Sequence, residues 1–117
     1  MFIMENCLFC KIIRGEIPSA KVYENDKVYA FRDINPMAPV HVLVVPKQHV
    51  SGLNDADTLP AETLTACLNA CREIAASEGI AESGWRMVSN CGPDACQSVQ
   101  HLHFHVLGGR KMADSMA

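Results

Sequence analysis

Residues 101–107 read HLHFHVL and place a histidine at every second position. Because side chains alternate between the two faces of a β-strand, this spacing predicts a strand with His101, His103 and His105 on one face. The apolar residues between them form the other face, which we expect to pack against a helix. The whole chain has five histidines, so three in strict alternation indicate a functional surface. An amphipathic strand with a polar outer face is the plainer alternative.

The spacing of these histidines bears on two chemical interpretations. Neighbouring histidines on one face of a strand lie roughly 6.6–6.8 Å apart, and the outer two about 13 Å apart. Zinc–nitrogen bonds of about 2.0–2.1 Å cannot join all three to one ion from a straight strand, although two neighbours could share a metal. A neutral imidazole can instead attack phosphorus and form a covalent phospho- or nucleotidyl-histidine that water later resolves. We expect the middle histidine to attack and a neighbour to bind the phosphate.

The loop before this strand, NCGPDACQSV at residues 90–99, contains groups that can hold an anion. Gly92, Gln97 and Ser98 accompany several backbone N–H groups, and such turns can cradle a phosphate while a serine hydroxyl adds a donor. Gly-Pro-Asp is also a common turn sequence, so the loop alone is weak evidence for phosphate chemistry.

The N-terminal part of the chain predicts a short helix followed by a hairpin. Residues 8–18, LFCKIIRGEIP, fit a helix that buries Leu8, Ile12 and Ile13 and that ends at Gly15. The next two runs are rich in β-forming residues and flank an Asn-Asp turn at residues 25–26.

The rest of the chain predicts three more strands and one long helix. The strands are HVLVVPK at residues 41–47, GWRMVSN at residues 84–90 and the histidine strand. The long helix spans residues 60–78, with a proline at its start and a glycine after its end. Its apolar residues recur at helical spacing, and they are Leu64, Cys67, Leu68, Cys71, Ile74 and Ala75. We therefore expect an α+β domain on a five-stranded antiparallel sheet.

Composition limits the class of protein. The 117 residues, of which 49% are hydrophobic and 20% charged, predict one globular domain over residues 1–117. The net charge of −3 gives no electrostatic footprint for nucleic acid or for an acidic membrane. The N-terminal MFIMENC lacks the pattern of a secretory signal. The chain has enough apolar residues to form a core without disulfide bonds between its six cysteines. We therefore expect a cytoplasmic protein with reduced thiols.

Three segments resemble the histidine-triad family: QSVQHLHFHVLGGR, CLFCKIIRGEIP and AFRDINPMAPVHVLVVPKQHV. The resemblance covers almost the whole chain and is strongest to the nucleotide-binding, phosphoramidase branch. It implies a homodimer that joins two five-stranded sheets into one of ten strands. It also implies hydrolysis of the P–N bond of AMP or GMP phosphoramidates through a covalent nucleotidyl-histidine. Two alternatives stay open: a nucleotide- or zinc-binding interaction protein with incidental catalysis, and a dinucleoside-polyphosphate hydrolase.

The resemblance assigns the catalytic residues. It makes His103 the nucleophile, and it places His105, the Ser98 hydroxyl and the loop amides around Gln97 on the α-phosphate. It implies that His41 supports His103 by a hydrogen bond.

The resemblance also implies a nucleotide-binding site. Asp33 would accept the ribose hydroxyls and Asn90 would line the phosphate end. An apolar slot for the purine would be formed by Phe9, Ile17, Phe31 and Ile34. On the residues alone, Phe31 and Ile34 also fit a core, and Asp33 also fits a cap for the turn before Pro36.

The CLFC pair predicts a second kind of site. Cys7 and Cys10 have the spacing that lets two thiolates bind one tetrahedral ion. The resemblance adds His49 and His101 as further ligands of a structural zinc, with no catalytic metal required. Unliganded thiols are the alternative.

Two features depart from the family pattern. Cys96 stands where relatives usually carry glycine, and a side chain there is strained if the backbone has positive φ. The tail RKMADSMA lacks the WPPG-like ending of many relatives.

Overall fold

The computed structural model describes residues 6–116, so residues 1–5 of the MFIMENC segment lie outside the described part. The helices and strands are α1 (Leu8–Ile13), β1 (Lys21–Glu24), β2 (Val28–Arg32), β3 (Val40–Pro46), α2 (Ala61–Ser77), β4 (Trp85–Val88) and β5 (Phe104–Gly108). The strands form one antiparallel sheet in the order β1-β2-β3-β5-β4. The predicted α+β fold is confirmed. Within residues 6–116, the helices are too short or too polar to span a membrane.

The hairpin between β1 and β2 forms at the predicted Asn-Asp turn. The side-chain oxygen of Asn25 accepts hydrogen bonds from the backbone N–H groups of Lys27 and Val28, both at 2.9 Å. This asparagine supplies the local acceptor that reverses the chain, which is why the turn could be predicted from sequence.

Helix α2 packs across one face of the sheet through small residues. Cys67, Ala70 and Cys71 are fully buried, and Ile74 is 1% exposed. Burial raises the pKa of Cys67 and of Cys71 to about 12, so both thiols stay protonated and act as small apolar groups. The prediction that Leu68 belongs to the buried face is wrong, since it is 45% exposed.

Helix α1 is rotated relative to the predicted orientation. It buries Phe9, Cys10 and Ile12, whereas Leu8 is 44% exposed and Ile13 is half-buried. The helix has only six residues, so its own periodicity gives little orientation. The orientation is consistent with the contacts of Cys10 and of Cys7, the residue just before the helix, which face His49 and His101. Gly15, with φ of 79°, follows the helix as predicted.

The histidine strand begins later than predicted. Strand β5 starts at Phe104, because the N–H of Leu102 donates to the carbonyl of Val50 outside the sheet. The predicted alternation nevertheless holds for the apolar residues: Leu102, Phe104 and Val106 are at most 2% exposed and belong to the same core cluster as α2. The three histidines therefore project from the side of the segment opposite to these apolar residues, but they do not all lie on one straight strand.

The Ile74→Ala and Leu68→Ala variants test this core. Ile74→Ala should lower the free energy of unfolding by about 2–5 kcal/mol, because it leaves a cavity between α2 and the sheet. Leu68→Ala, on the same helix, should change it by roughly 0.5 kcal/mol or less. Urea unfolding of both variants measures the difference; equal losses would contradict the observed orientation of α2.

Candidate active site and metal centre

A cavity of about 270 Å³ opens between α1, the end of β2 and the segment before β5. Eight of the residues expected to bind nucleotide line it: Phe9, Ile17, Phe31, Asp33, Ile34, Ser98, His103 and His105. Asn90 and Gln97 are not among the lining residues. The lining residues that the sequence did not point to are Leu8, Ile12, Pro18, Ser19, Arg32, Leu43 and Val99. Of these, Val99 could have been expected from the sequence, because it directly follows Ser98.

Two aromatic rings form the apolar wall of this cavity. The ring of Phe9 stands edge-on to that of Phe31, with centroids 5.5 Å apart, and edge-on to the His103 imidazole, with centroids 5.1 Å apart. Phe31 is 5% exposed and serves both the core and the cavity. Ile34 is 92% exposed, so the alternative that places it in the core is wrong. The wall offers an apolar aromatic surface against which a heterocyclic ring can pack.

His103 is held in one tautomer. Its Nδ1 lies 2.7 Å from the carbonyl oxygen of His101. A carbonyl can only accept, so Nδ1 carries the proton and Nε2 keeps its lone pair. Burial also lowers the pKa of His103, which favours the neutral form at pH 7. The residue is therefore a neutral imidazole with one nitrogen fixed and the other available for nucleophilic attack.

His41 is hydrogen-bonded to His105, not to His103 as the resemblance implied. Its Nε2 lies 2.8 Å from Nδ1 of His105. The register explains this difference: His41 pairs with Leu107 across the β3–β5 ladder. His105 is thus its diagonal neighbour on the same face, whereas His103 lies two residues farther away.

Asp33 has two contacts at the edge of the cavity. One carboxylate oxygen accepts the N–H of Asn35 at 2.8 Å, which is the turn-capping role left open by the sequence. The other oxygen lies 3.4 Å from Nε2 of His41. Because one oxygen binds the turn, one remains directed toward the histidine pair.

The loop of residues 90–99 is braced by Gln97. Its side chain accepts the N–H of Gly92 at 2.9 Å and donates to the carbonyls of Ser51 at 2.6 Å and Val99 at 3.0 Å. The backbone N–H of Gln97 donates to the carbonyl of Gly92, so this amide is already occupied within the loop. Cys96 adopts φ of 59°, the left-handed conformation in which a glycine is unstrained. Ser98 is exposed and lines the cavity.

A second cluster joins Cys7, Cys10, His49 and His101. One ligand atom from each residue lies within 4.8 Å of all the others. The Cys7 Sγ–His101 Nδ1, Cys10 Sγ–His49 Nδ1 and Cys10 Sγ–His101 Nδ1 distances are 3.3, 3.5 and 3.6 Å, and the two Nδ1 atoms are 3.1 Å apart. Ligands of a tetrahedral zinc ion lie roughly 3.3–3.8 Å from one another. The four residues therefore fit one such ion.

The surroundings of the cluster favour metal binding. His101 is fully buried, and its Nε2–H donates to the carbonyl of Pro46 at 2.9 Å, which leaves the Nδ1 lone pair directed at the thiols. The Cys7 sulfur accepts the N–H of Cys10 at 3.3 Å, a bond that stabilises a thiolate. Burial lowers the pKa of His101 to about 4, so its ring is neutral at pH 7.

Acid pH should destabilise the fold through His105. Burial, and then the neighbouring His103 and His41, lower the pKa of His105 from its ordinary 6.5 to about 4. Between these values the unfolded chain binds the proton and the folded protein does not. The free energy of unfolding should therefore fall as the pH falls from about 6.5 to 4. In urea unfolding at several pH values, His105→Gln should show a shallower fall than the parent protein; identical slopes would contradict this assignment.

Comparisons with known proteins identify the relatives of this chain. A family model described as the HIT domain matches residues 14–112. The 14 kDa zinc-binding protein of Zea mays is 50% identical over 90% of this chain and 83% of its own length. Adenylylsulfatase HINT1 of Arabidopsis thaliana is 49% identical over 90% of this chain and 72% of its own. The purine nucleoside phosphoramidase of Escherichia coli K12 is 42% identical over 97% of this chain and 95% of its own.

The fold agrees equally well with a solved structure. A HIT family hydrolase from Clostridium thermocellum superposes with a TM-score of 0.93 at 46% identity, covering 97% of this chain and 99% of that one. The family model spans most of the chain, including the three alternating histidines and His41. The chain belongs to the HIT domain family.

Proposed function

We propose that this protein is a purine nucleoside phosphoramidase, which hydrolyses the P–N bond of AMP or GMP phosphoramidates through a nucleotidyl-His103 intermediate. The main support for this proposal is the 2.7 Å hydrogen bond from Nδ1 of His103 to the carbonyl of His101. It leaves the Nε2 lone pair unprotonated in a cavity walled by Phe9 and Phe31. The Escherichia coli relative that carries this activity in its name supports the substrate class.

The reaction takes two displacements at phosphorus. In the first, the lone pair of His103 Nε2 attacks, the P–N bond to the amine breaks, and its electron pair stays on nitrogen. The departing nitrogen takes a proton from water at the mouth of the cavity and leaves as an amine, and the hydroxide left behind is neutralised by the proton released in the second step. In the second, water attacks phosphorus, the bond to Nε2 breaks and its electron pair returns to the ring, while a proton is released to solvent. The products are a free amine and a nucleoside monophosphate.

Neutral donors support both steps. Ser98 and His105 line the cavity. The Ser98 hydroxyl and Nε2 of His105 can bind the phosphate oxygens as charge develops. The remaining carboxylate oxygen of Asp33 can accept a ribose hydroxyl at the edge of the apolar wall. No catalytic metal is required, because the imidazole attacks and these donors stabilise the transition state.

We also propose that Cys7, Cys10, His49 and His101 hold a structural zinc ion. The distances among their ligand atoms suit a closed tetrahedral site, which offers no open position for substrate. The Zea mays relative is named for zinc binding, which supports the identity of the metal. Bound there, zinc would join α1 to the segment that contains the nucleophile.

A cytoplasmic homodimer is the assembly we propose. Strand β4 is an edge of the sheet, and its Met87 is 41% exposed. Pairing of two such edges would satisfy their unpaired backbone groups and join two sheets into one of ten strands.

A second candidate activity is cleavage of adenylyl sulfate, the reaction named for the Arabidopsis relative. The same His103 lone pair would attack phosphorus, and sulfate would leave without needing a proton. Competition assays with both substrates decide which leaving group is preferred.

Replacing the nucleophile tests the proposed chemistry. His103→Ala should lower kcat on an adenosine phosphoramidate by about 10³-fold or more, because the variant lacks the ring nitrogen that forms the covalent bond. AMP should still bind within about tenfold of the parent affinity, since the aromatic wall is intact. Turnover assays with calorimetric AMP titration measure both. Gln100→Ala, a neighbouring exposed position, should leave both unchanged. Retained turnover in His103→Ala would contradict the assignment.

Zinc binding has its own matched pair of variants. Cys10→Ser should lose the bound zinc, and with it about 4 kcal/mol of stability when free zinc is 1,000 times its dissociation constant. Cys96→Ser removes an exposed cysteine outside the cluster and should retain both. Metal analysis and thermal unfolding measure these quantities. Equal zinc content in both variants would contradict the site.

A further inference from the structure

We propose that the backbone N–H of Met37 fixes the direction of the hydrogen bond between His41 and His105. In consequence, His105 presents an N–H donor to the substrate. The same bond direction prevents divalent cations from binding between Asp33, His41 and His105. The statement about substrate rests on the proposed function; the statements about tautomers and cations do not. Met37 is in this sense a positioning residue that acts only through its main chain.

The direction of the bond follows from the donors. The N–H of Met37 lies 3.0 Å from Nδ1 of His41 and can only donate, so this nitrogen carries no proton. A neutral His41 therefore has its proton on Nε2, which lies 2.8 Å from Nδ1 of His105. His105 Nδ1 accepts that proton's hydrogen bond, so the proton of His105 sits on Nε2, its remaining nitrogen. Burial lowers the pKa of both histidines, which supports the neutral forms.

The two histidine clusters differ in which ring nitrogen carries the proton. Asp33, His41 and His105 bring one carboxylate oxygen and two ring nitrogens within 4.8 Å of one another, a ligand set that suits a transition metal. A metal needs a lone pair on Nε2 of His41, where the proton lies. If this proton moved to Nδ1, two donors, the Nδ1–H of His41 and the N–H of Met37, would face each other. In the cysteine cluster, His101 instead faces the carbonyl of Pro46, which leaves a lone pair for the metal.

The position of this N–H is set by the backbone of the turn. The N–H of Asp33 donates to the carbonyl of His41 at 3.0 Å, and the N–H of Asn35 donates to the Asp33 carboxylate at 2.8 Å. Nη2 of Arg110 donates to the carbonyl of Met37 at 3.1 Å. The Met37 side chain is 73% exposed, so a change of side chain should leave the device intact.

The test replaces the amide at position 37 by an ester. The α-hydroxy acid analogue of methionine, introduced by cell-free translation, substitutes an ester oxygen for the N–H and keeps the side chain. Two lone pairs would then face each other unless the proton of His41 moves to Nδ1. Met37→Ala keeps the N–H and is the matched control. Long-range ¹H–¹⁵N NMR of the imidazoles reads the tautomers directly.

In the parent protein and in Met37→Ala, we expect His41 and His105 each to be protonated on Nε2. In the ester variant, both should shift toward protonation on Nδ1. Protein already loaded with one equivalent of zinc should take up a second equivalent only in the ester variant. There Nε2 of His41 can offer a lone pair, and His105 can return its proton to its own Nε2 when the ion replaces the hydrogen bond between the two rings. AMP affinity should fall about ten- to hundredfold in that variant, because a donor to a charged group becomes an acceptor.

Protonation of His41 on Nδ1 in the parent protein would overturn the proposal, and this measurement does not depend on how well the ester variant folds. Equal uptake of a second zinc by the parent and the ester variant would overturn the cation statement. If the parent fails to turn over phosphoramidates but shows the expected tautomers, the proposed function fails and the tautomer assignment stands.

Discussion

The hydrogen bond from Nδ1 of His103 to the carbonyl of His101 is the contact on which the site depends. It selects the tautomer of the nucleophile, and it attaches that nucleophile to the residue whose side chain enters the cysteine cluster. The segment can make this bond because it leaves the sheet: the N–H of Leu102 turns away to Val50 before β5 begins. A straight strand would point the three histidines in one direction and would allow only one of these two sites.

Helix α1 connects the same two sites from the other side. Cys7 and Cys10 supply thiols to the cluster, and Phe9 between them places its ring against both His101 and His103. Metal binding and the wall of the cavity therefore share one short helix. With only six residues, α1 gains its stability from these tertiary contacts more than from its own propensity.

Much of the fold could be predicted because its signals are local. Each of these signals involves residues only a few positions apart: the turn at Asn25, the proline and glycine at the ends of α2, and the alternating apolar residues around the start of β5. The wrong predictions concern features that depend on contacts between residues far apart in the chain. Leu68 fits the helical period but faces away from the sheet, and the partner of His41 depends on the register between β3 and β5. The family resemblance pointed to the main aromatic and histidine residues of the cavity, but it also pointed to Asn90 and Gln97, which do not line it. The hydrogen bonds that define the histidine tautomers required the structure.

The most direct test of the account is intact-protein mass spectrometry after rapid, acid-free quenching with an adenosine phosphoramidate. We expect the parent protein to gain the mass of one adenylyl group, and peptide mapping to place this group on His103. His103→Ala should gain none. An adduct on His105, or an adduct of equal yield in His103→Ala, would contradict the assignment of the nucleophile and with it the role given to the bond between His103 and His101.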